Sequence, residues 1–256
     1  MKKIGLFVLL GMLSVLLTNC TEKTAPGYAR FVIDYYWGTT PLAVGATYTT
    51  DYGPSVIVEN HEFFLSDLRV NGPQRVPFKE DPVLYFNLDS THNSYFSTIS
   101  VPTGQYVSIS FEVGVSADYN KTNYFTSSPQ KDMAWPEALG GGYHHLKFDG
   151  RFGRFADLDS IIYPFNLHLG TLVIHELDSA SGDVTTNRYE ETFAINIMKS
   201  FYVHERMITT IHIACDLKQW VQNPNNWDFE KYYLNGIMDR PKAMDSLRWN
   251  GTSVFR

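Results

Sequence analysis

The clearest structural signal in the sequence is an alternation of apolar and polar residues over positions 106–115. The run reads YVSISFEVGV, and apolar residues occupy every second position from Val107 to Val115. Successive side chains of a β-strand point to opposite faces of its sheet. A period of two therefore predicts a strand here with one buried face.

Seven further runs have the same character and are bounded mostly by Pro, Gly, Asn or Asp residues, as strands usually are. They are ARFVIDYYW, SVIVENHEFFLSDLRV, VLYFNL, GGYHHLKFDG, FNLHLGTLVIHEL, RYEETFAINI and MITTIHIACDL. No internal repeat or second linker separates them. The pattern predicts an all-β protein, a single antiparallel β-sandwich of the immunoglobulin-like or jelly-roll-like kind over residues 28–256.

Helical patterns are few and short. In DLKQWVQ, Leu217, Trp220 and Val221 fall on one helical face. In PKAMDSLRWNG, Pro241 stands where a first-turn proline is tolerated, and Gly251 stands where a C-terminal glycine cap would lie. The sequence therefore predicts two short helices near its C-terminal end.

The N-terminal segment has the pattern of an export signal. Lys2 and Lys3 precede the apolar run 4–17, and the following LTNC resembles the lipobox of bacterial lipoproteins. That resemblance implies a signal peptide over residues 1–19, a lipid on the sulfur of Cys20 and a linker over residues 20–27. We expect a lipid-anchored protein of the cell envelope, at the outer membrane and either periplasmic or surface-exposed. The alternative is a secreted protein with a free Cys20.

Composition narrows the classes of function. Removal of residues 1–19 would take away two lysines, leaving 237 residues and a net charge of −8 in place of −6. Such an acidic chain is not expected to bind nucleic acid. With Cys20 lipidated, Cys215 is the one remaining thiol, so no internal disulfide can form. We interpret Cys215 as a small apolar core residue.

The sequence contains none of the common enzyme signatures. A nucleophile elbow, a zincin helix, a phosphate loop and a dinucleotide fingerprint are all missing from it. We therefore expect no catalytic residues and no enzymatic activity. The remaining chemistry is that of eight histidines, whose imidazoles suit copper, zinc, nickel and iron.

Three of these histidines are candidate metal ligands. In YHHLKFDG, alternation places His144 on the apolar face and His145 on the polar face, so His145 is predicted at the surface. In FNLHLG, His168 precedes Gly170, where a bulge or a close backbone approach is expected. His61, in ENHEFFLS, is the third candidate. The alternative for each is a hydrogen-bonded structural imidazole.

The segment before the histidine pair is unusual as well. In WPEALGGGYHH, three consecutive glycines, which are costly to order, stand beside the two histidines. Trp135 fits no period, and we interpret it as either a cleft-lining residue that stacks on a ligand or one that packs against a loop. We expect the glycines to form a loop that brings Trp135 and the His144 strand to one end of the sandwich.

Four motifs in order give a family resemblance. FFLSDLRV, MAWPEALGGGYHHLKFDG, FNLHLG and TIHIACDLKQW are together similar to the MbnP-like family, periplasmic or surface proteins related to the methanobactin-operon copper protein. The resemblance covers most of residues 28–255. It implies a β-sandwich that binds copper through histidines.

The resemblance also implies a role for one tryptophan. In some members of the family a tryptophan is oxidised to kynurenine by a partner di-haem enzyme. By position, Trp135 matches the first Trp of the family motif, and His168 matches the His of its His-Leu-Gly strand. The resemblance therefore makes Trp135 the candidate for such oxidation. Glu137 stands where the family often has a second Trp, so this chain cannot use that chemistry if the second Trp is the one modified.

Three functions are consistent with the sequence. The first is a surface or periplasmic lipoprotein that binds a transition metal, copper in preference to zinc, through His144, His168 and His61. The second is an extracellular glycan-binding module that uses Trp135 and Trp37 as stacking platforms. The third is a structural component of a surface assembly.

Overall fold

The computed structural model describes residues 24–72, 83–88, 99–153, 161–177, 181, 184–233 and 236–256, with the backbone alone at 161–162. The predicted signal peptide and Cys20 lie outside the described residues. Within the described part of the chain, no helix has both the length and the apolar character that a membrane crossing requires.

Strands make up most of the described chain. They are β1 (Gly27–Trp37), β2 (Thr40–Pro41), β3 (Thr47–Tyr48), β4 (Val56–Asn71), β5 (Val83–Asn87), β6 (Ile99–Val101), β7 (Gly104–Val113), β8 (Leu146–Gly153), β9 (Ile161–Leu169), β10 (Thr171–Leu177), β11 (Val184–Glu190), β12 (Phe193–Val203) and β13 (Ile208–Asp216). The described helices are α1 (Phe229–Tyr232), α2 (Pro241–Gly251) and three 3-10 turns at Gln130–Met133, Glu137–Leu139 and Leu217–Val221.

The larger sheet is antiparallel and is built around β4. Its strand order is β12-β7-β4-β8-β9, and β3 and β5 also pair with β4. The register places Phe148 of β8 opposite His61 of β4, and Lys147 of β8 opposite His168 of β9. Consecutive strand residues face opposite ways. His61 and His168 therefore lie on opposite faces of this sheet.

The smaller sheet has the order β13-β1-β2, with β6 also paired to β1. The pairing of β1 with β13 is parallel, from Tyr28 opposite Ile208 to Tyr36 opposite Asp216. This pair departs from a purely antiparallel arrangement. Parallel neighbours need a long connection, and here the whole larger sheet lies between the two strands in sequence.

The core lies between the two sheets, which confirms the predicted all-β sandwich. Phe31 of β1 and Ile213 of β13 are buried with Leu65 of β4 in one apolar cluster. The Tyr35 and His61 rings also meet across the sheets, with centroids 5.7 Å apart. Extensive burial of apolar and aromatic surface is the main force that holds such a fold together.

The C-terminal helices were predicted correctly, but Gly251 has another role. Leu217, Trp220 and Val221 are buried as expected, and α2 begins at Pro241. Gly251 is the last helical residue rather than a cap beyond the helix. A Cβ atom there would lie 2.3 Å from the Phe193 ring, so the glycine allows the helix to pack closely on β12.

Candidate metal site

The triple-glycine loop has a backbone that other residues rarely adopt. Residues 140–142 have φ values of +110°, +65° and +87°, all in the left-handed region that favours glycine. A Cβ atom on Gly142 would also lie 2.3 Å from Asn120 Oδ1. The loop folds the chain back on itself, so that Trp135 N donates to Gly142 O at 2.9 Å and His144 comes to lie near Trp135.

A carboxylate at the end of β11 anchors this loop. Glu190 accepts hydrogen bonds from Asn120 Nδ2 and Arg188 Nε, and the Thr171 hydroxyl oxygen lies 3.1 Å from its Oε2. Burial alone would raise the pKa of Glu190, but its interactions with His145 and Arg188 lower it to about 2. The ionised carboxylate therefore holds several donors in place at neutral pH.

The hydrogen bonds around Glu190 form a network that extends to the backbone of the loop. Asn120 Oδ1 accepts a hydrogen bond from Tyr143 N at 2.8 Å, and Thr171 Oγ1 donates to Gly141 O at 3.1 Å. The loop conformation therefore depends on β10 and β11, which lie later in the sequence.

The prediction that His145 lies at the surface was wrong. His145 is fully buried, because β8 begins only at Leu146 and the alternation does not extend back to the histidine pair. Its Nδ1 accepts a hydrogen bond from Val115 N at 3.0 Å. Its Nε2 lies 3.3 Å from Glu190 Oε2. His145 therefore joins the network that supports the loop.

His144 is a buried imidazole with one nitrogen occupied. Its Nδ1 lies 3.0 Å from the carbonyl oxygen of Met133. Burial above all, and then the neighbouring His168, lower the pKa of His144 to about 3, so the ring is neutral at physiological pH. A carbonyl can only accept. Nδ1 therefore carries the proton, and Nε2 carries the lone pair.

His168 is oriented by a carboxylate. Its Nε2 lies 2.8 Å from Asp149 Oδ1, and Asn60 Nδ2 donates to the other oxygen of Asp149 at 3.3 Å. Burial would raise the pKa of Asp149, but the hydrogen bond and charge of His168 bring it below its usual value. The ionised carboxylate accepts, so Nε2 of His168 is the donor. In the neutral ring, Nδ1 then carries the lone pair.

The two rings meet edge to face. Their centroids are 5.1 Å apart and their planes are inclined at 85°. Among the described residues, Nε2 of His144 and Nδ1 of His168 form no hydrogen bond. The structure thus brings together two of the three predicted ligands and leaves one lone-pair nitrogen on each.

Trp135 forms a wall of this site. Its ring centroid lies 4.8 Å from that of His144, and its Nε1 donates to Leu139 O at 3.1 Å. A Cβ atom on Gly170 would lie 2.3 Å from the indole. The expected close approach at Gly170 is thereby confirmed, and the neighbour that requires it is Trp135.

The structure does not bring His61 to the same place. His61 is fully buried on the opposite face of the larger sheet, among aromatic rings of the core. Its Nε2 accepts a hydrogen bond from Trp220 Nε1 at 3.1 Å, and burial lowers its pKa to about 3. The arrangement is that of a neutral core imidazole.

Within the described residues, no three His, Cys, Asp or Glu side chains are grouped as a metal site. A metal at this end of the sandwich would be held by the two imidazoles of His144 and His168. The two candidate stacking platforms for a glycan are buried, since Trp135 is 2% and Trp37 is 6% exposed.

Asp149 was not predicted as a site residue, although the alternation of its strand indicates which face of the sheet it lies on. Alternation in LKFDG places Lys147 and Asp149 on one face. His168 lies on the polar face of the next predicted strand. The missing information was the register between β8 and β9, which pairs Lys147 with His168 and so brings Asp149 within reach of that ring.

Two matches to known proteins each cover most of the chain. A family model described as MbnP matches residues 26–239. Among solved structures, the chain is similar to MbnP from Methylosinus trichosporium, with 15% sequence identity, 80% of each chain covered and a TM-score of 0.48. A comparison with curated proteins finds no match.

Proposed function

This chain belongs to the MbnP family, and we propose that it binds copper through His144 and His168 as a lipid-anchored protein of the cell envelope. The ligand atoms are Nε2 of His144 and Nδ1 of His168. The copper ion is the cargo of this site rather than a catalyst.

One observation carries the proposal, namely how the two rings are supported. Met133 O occupies Nδ1 of His144, and the Asp149 carboxylate occupies Nε2 of His168. Metal-binding histidines almost always donate their other ring N–H to a carbonyl or a carboxylate in this way. Such a contact fixes the tautomer and directs the remaining lone pair.

The protonation state of the site also favours a metal. An imidazole must be neutral to act as a ligand, and the lowered pKa of His144, about 3, keeps its ring neutral across the physiological range. The cost of taking a proton from that ligand is therefore absent at neutral pH.

The number of donors favours copper over zinc. Zinc sites in proteins usually have three or four protein ligands, whereas this end of the described structure offers two imidazoles. His61 does not complete a zinc set, because it lies on the other face of the sheet with its Nε2 bonded to Trp220. Divalent copper binds a given set of nitrogen ligands more tightly than divalent zinc does in the usual order of affinities.

Trp135 contributes shape and not a lone pair. Its indole nitrogen is a donor only and is directed at Leu139 O. The ring excludes water from one side of the His144 imidazole. Oxidation of Trp135 by a di-haem partner stays a prediction.

Metal analysis tests the proposal. Purified protein is loaded with copper, desalted and measured by elemental analysis, beside His144→Ala and His168→Ala. The matched control is His212→Ala, an exposed histidine that also contacts a carboxylate, Asp34, at 2.9 Å. We expect one copper per chain in the parent and in the control, and loss of that copper in either site variant. Full retention in both site variants would refute the proposed ligands.

A further inference from the structure

Four apolar or aromatic side chains are exposed together at one end of the sandwich. They are Tyr28 at 39%, Tyr202 at 46%, Met207 at 59% and Ile208 at 50% exposure, and we name them the Tyr28 patch. Tyr28 and Ile208 are paired neighbours on β1 and β13. Tyr28 N donates to Met207 O at 2.8 Å, and Thr209 Oγ1 donates to Tyr202 O at 3.1 Å. The four residues are therefore held in one place.

Residues 25 and 26 are bonded to the loop 204–207, which carries Met207 of this patch. Ala25 N donates to Glu205 Oε1 at 3.2 Å, and Arg206 N donates to Pro26 O at 3.0 Å. Ala25 is five positions after Cys20, and five extended residues reach at most about 18 Å. A lipid on Cys20 would therefore keep the Tyr28 patch close to the membrane.

The chemistry of the patch suits a phospholipid surface. Tyrosine combines an apolar ring with a polar hydroxyl and is enriched at membrane–water boundaries, and Met207 and Ile208 add apolar area. The neighbouring Arg206 and Glu205 lie 3.7 Å apart with opposite charges, so the patch carries little net charge. The patch should therefore bind neutral phospholipids and should not require anionic ones.

We propose that the Tyr28 patch rests on the bilayer that holds the Cys20 lipid and fixes the orientation of the domain. This inference rests on the lipid anchor of the proposed function. Gln105 of β7 pairs with Tyr202 beside the patch, whereas Val115, just beyond the other end of β7, contacts His145. Ten strand residues span about 33 Å. The His144–His168 pair therefore faces away from the membrane.

The test uses the full chain, made in a bacterial host that matures lipoproteins and reconstituted in neutral phosphatidylcholine vesicles. A fluorophore is attached to Met207→Cys, and its quenching by lipids with brominated chains is measured. Cys215 is fully buried and does not compete for the label. Two controls are Met198→Cys, an exposed position farther along β12, and Val44→Cys, an exposed position beyond the opposite end of β1.

We expect quenching at position 207 to be several-fold stronger than at position 198 and to be lost at position 44. Equal quenching at positions 207 and 44, in protein whose intact mass includes the lipid, would overturn the orientation while leaving the anchor in place. A mass without lipid would overturn the anchor and the patch proposal with it. A signal at position 207 that appears only at high protein density would assign the patch to self-association instead.

Discussion

The imidazoles of His144 and His168 meet edge to face with centroids 5.1 Å apart, although one precedes β8 and the other is near the end of β9. Each ring has one nitrogen committed to a protein acceptor and one lone-pair nitrogen. Two independent structural features bring the pair together. A glycine loop positions His144, and the strand register positions His168. Each of these features can be tested separately.

Asp149 orients His168, so its charge and acceptor should matter for copper affinity. We predict that Asp149→Asn weakens copper binding roughly 10- to 100-fold, as loss of a supporting partner usually does. Asn in place of Asp retains the size of the side chain and removes the charged acceptor. The measurement is a competition titration with a copper chelator of known affinity.

The structure offers a matched control for this change. Asp34 contacts His212 Nδ1 at 2.9 Å in an exposed pair on the smaller sheet. Asp34→Asn should leave the affinity within twofold of the parent, roughly the scatter of distant and independent sites. Equal losses in the two variants would show that the effect is not specific to the His168 ring.

Gly142 is required by conformation and by space. An Ala there would hold φ at +87° and place its Cβ against Asn120 Oδ1. We expect Gly142→Ala to lower the free energy of unfolding by roughly 2–3 kcal/mol. Gly45 has a similar φ of +79° with open space around it, so Gly45→Ala should cost only about 1 kcal/mol. Urea denaturation of both variants gives the comparison, and equal losses would contradict the collision with Asn120.

Glu190 should stabilise the protein only where it is ionised. Its folded pKa, about 2, lies below the ordinary value, so its contribution is present above about pH 4.5 and is lost as pH falls towards 2. We predict that Glu190→Gln costs roughly 1–3 kcal/mol at pH 7. The cost should shrink at pH 3, as measured by urea denaturation. A cost that is the same at both pH values would argue against the carboxylate charge as its source.

His61 should lower the free energy of unfolding as the solution is acidified, and it should do so over a higher pH range than Glu190. Its folded pKa is lowered to about 3 by burial, so between about pH 6.5 and 3 the unfolded chain binds a proton that the folded chain does not. This histidine therefore contributes a slope of up to about 1.4 kcal/mol per pH unit. We predict a shallower loss of stability in His61→Phe over this range.

His61→Phe also removes the acceptor for Trp220 Nε1, which changes stability at every pH and leaves the slope as the diagnostic quantity. His144 titrates in the same direction and is present in both proteins, so it cancels in the comparison. Identical slopes for the parent and His61→Phe would show that the folded state protonates His61 without cost.

The strands could be predicted because alternation is a local property. The predicted run at 106–115 contains most of β7, and the run SVIVENHEFFLSDLRV covers nearly all of β4. The environment of His145 could not be predicted in the same way. Its burial depends on Val115 and Glu190, which reach it through tertiary structure and leave no periodic trace near position 145.

The candidate residues could be chosen from the sequence, whereas the residues that support them could not. His144, His168 and Trp135 were all chosen from sequence, and the structure places them together. The strand register places His61 on the opposite face of the sheet from these residues. The same register brings Asp149 next to His168. Register is set by the whole sheet, so neither outcome could be predicted from a single segment.

The most direct test of the copper site is to identify the ligand atoms. Histidine ¹⁵N NMR, recorded anaerobically during titration with reduced copper, reports each ring nitrogen separately. We predict that the resonances of His144 Nε2 and His168 Nδ1 shift together and saturate at one equivalent, while those of His61 and His212 stay in place. Shifts at other histidines, or a titration that leaves His144 and His168 unchanged, would contradict the proposed site.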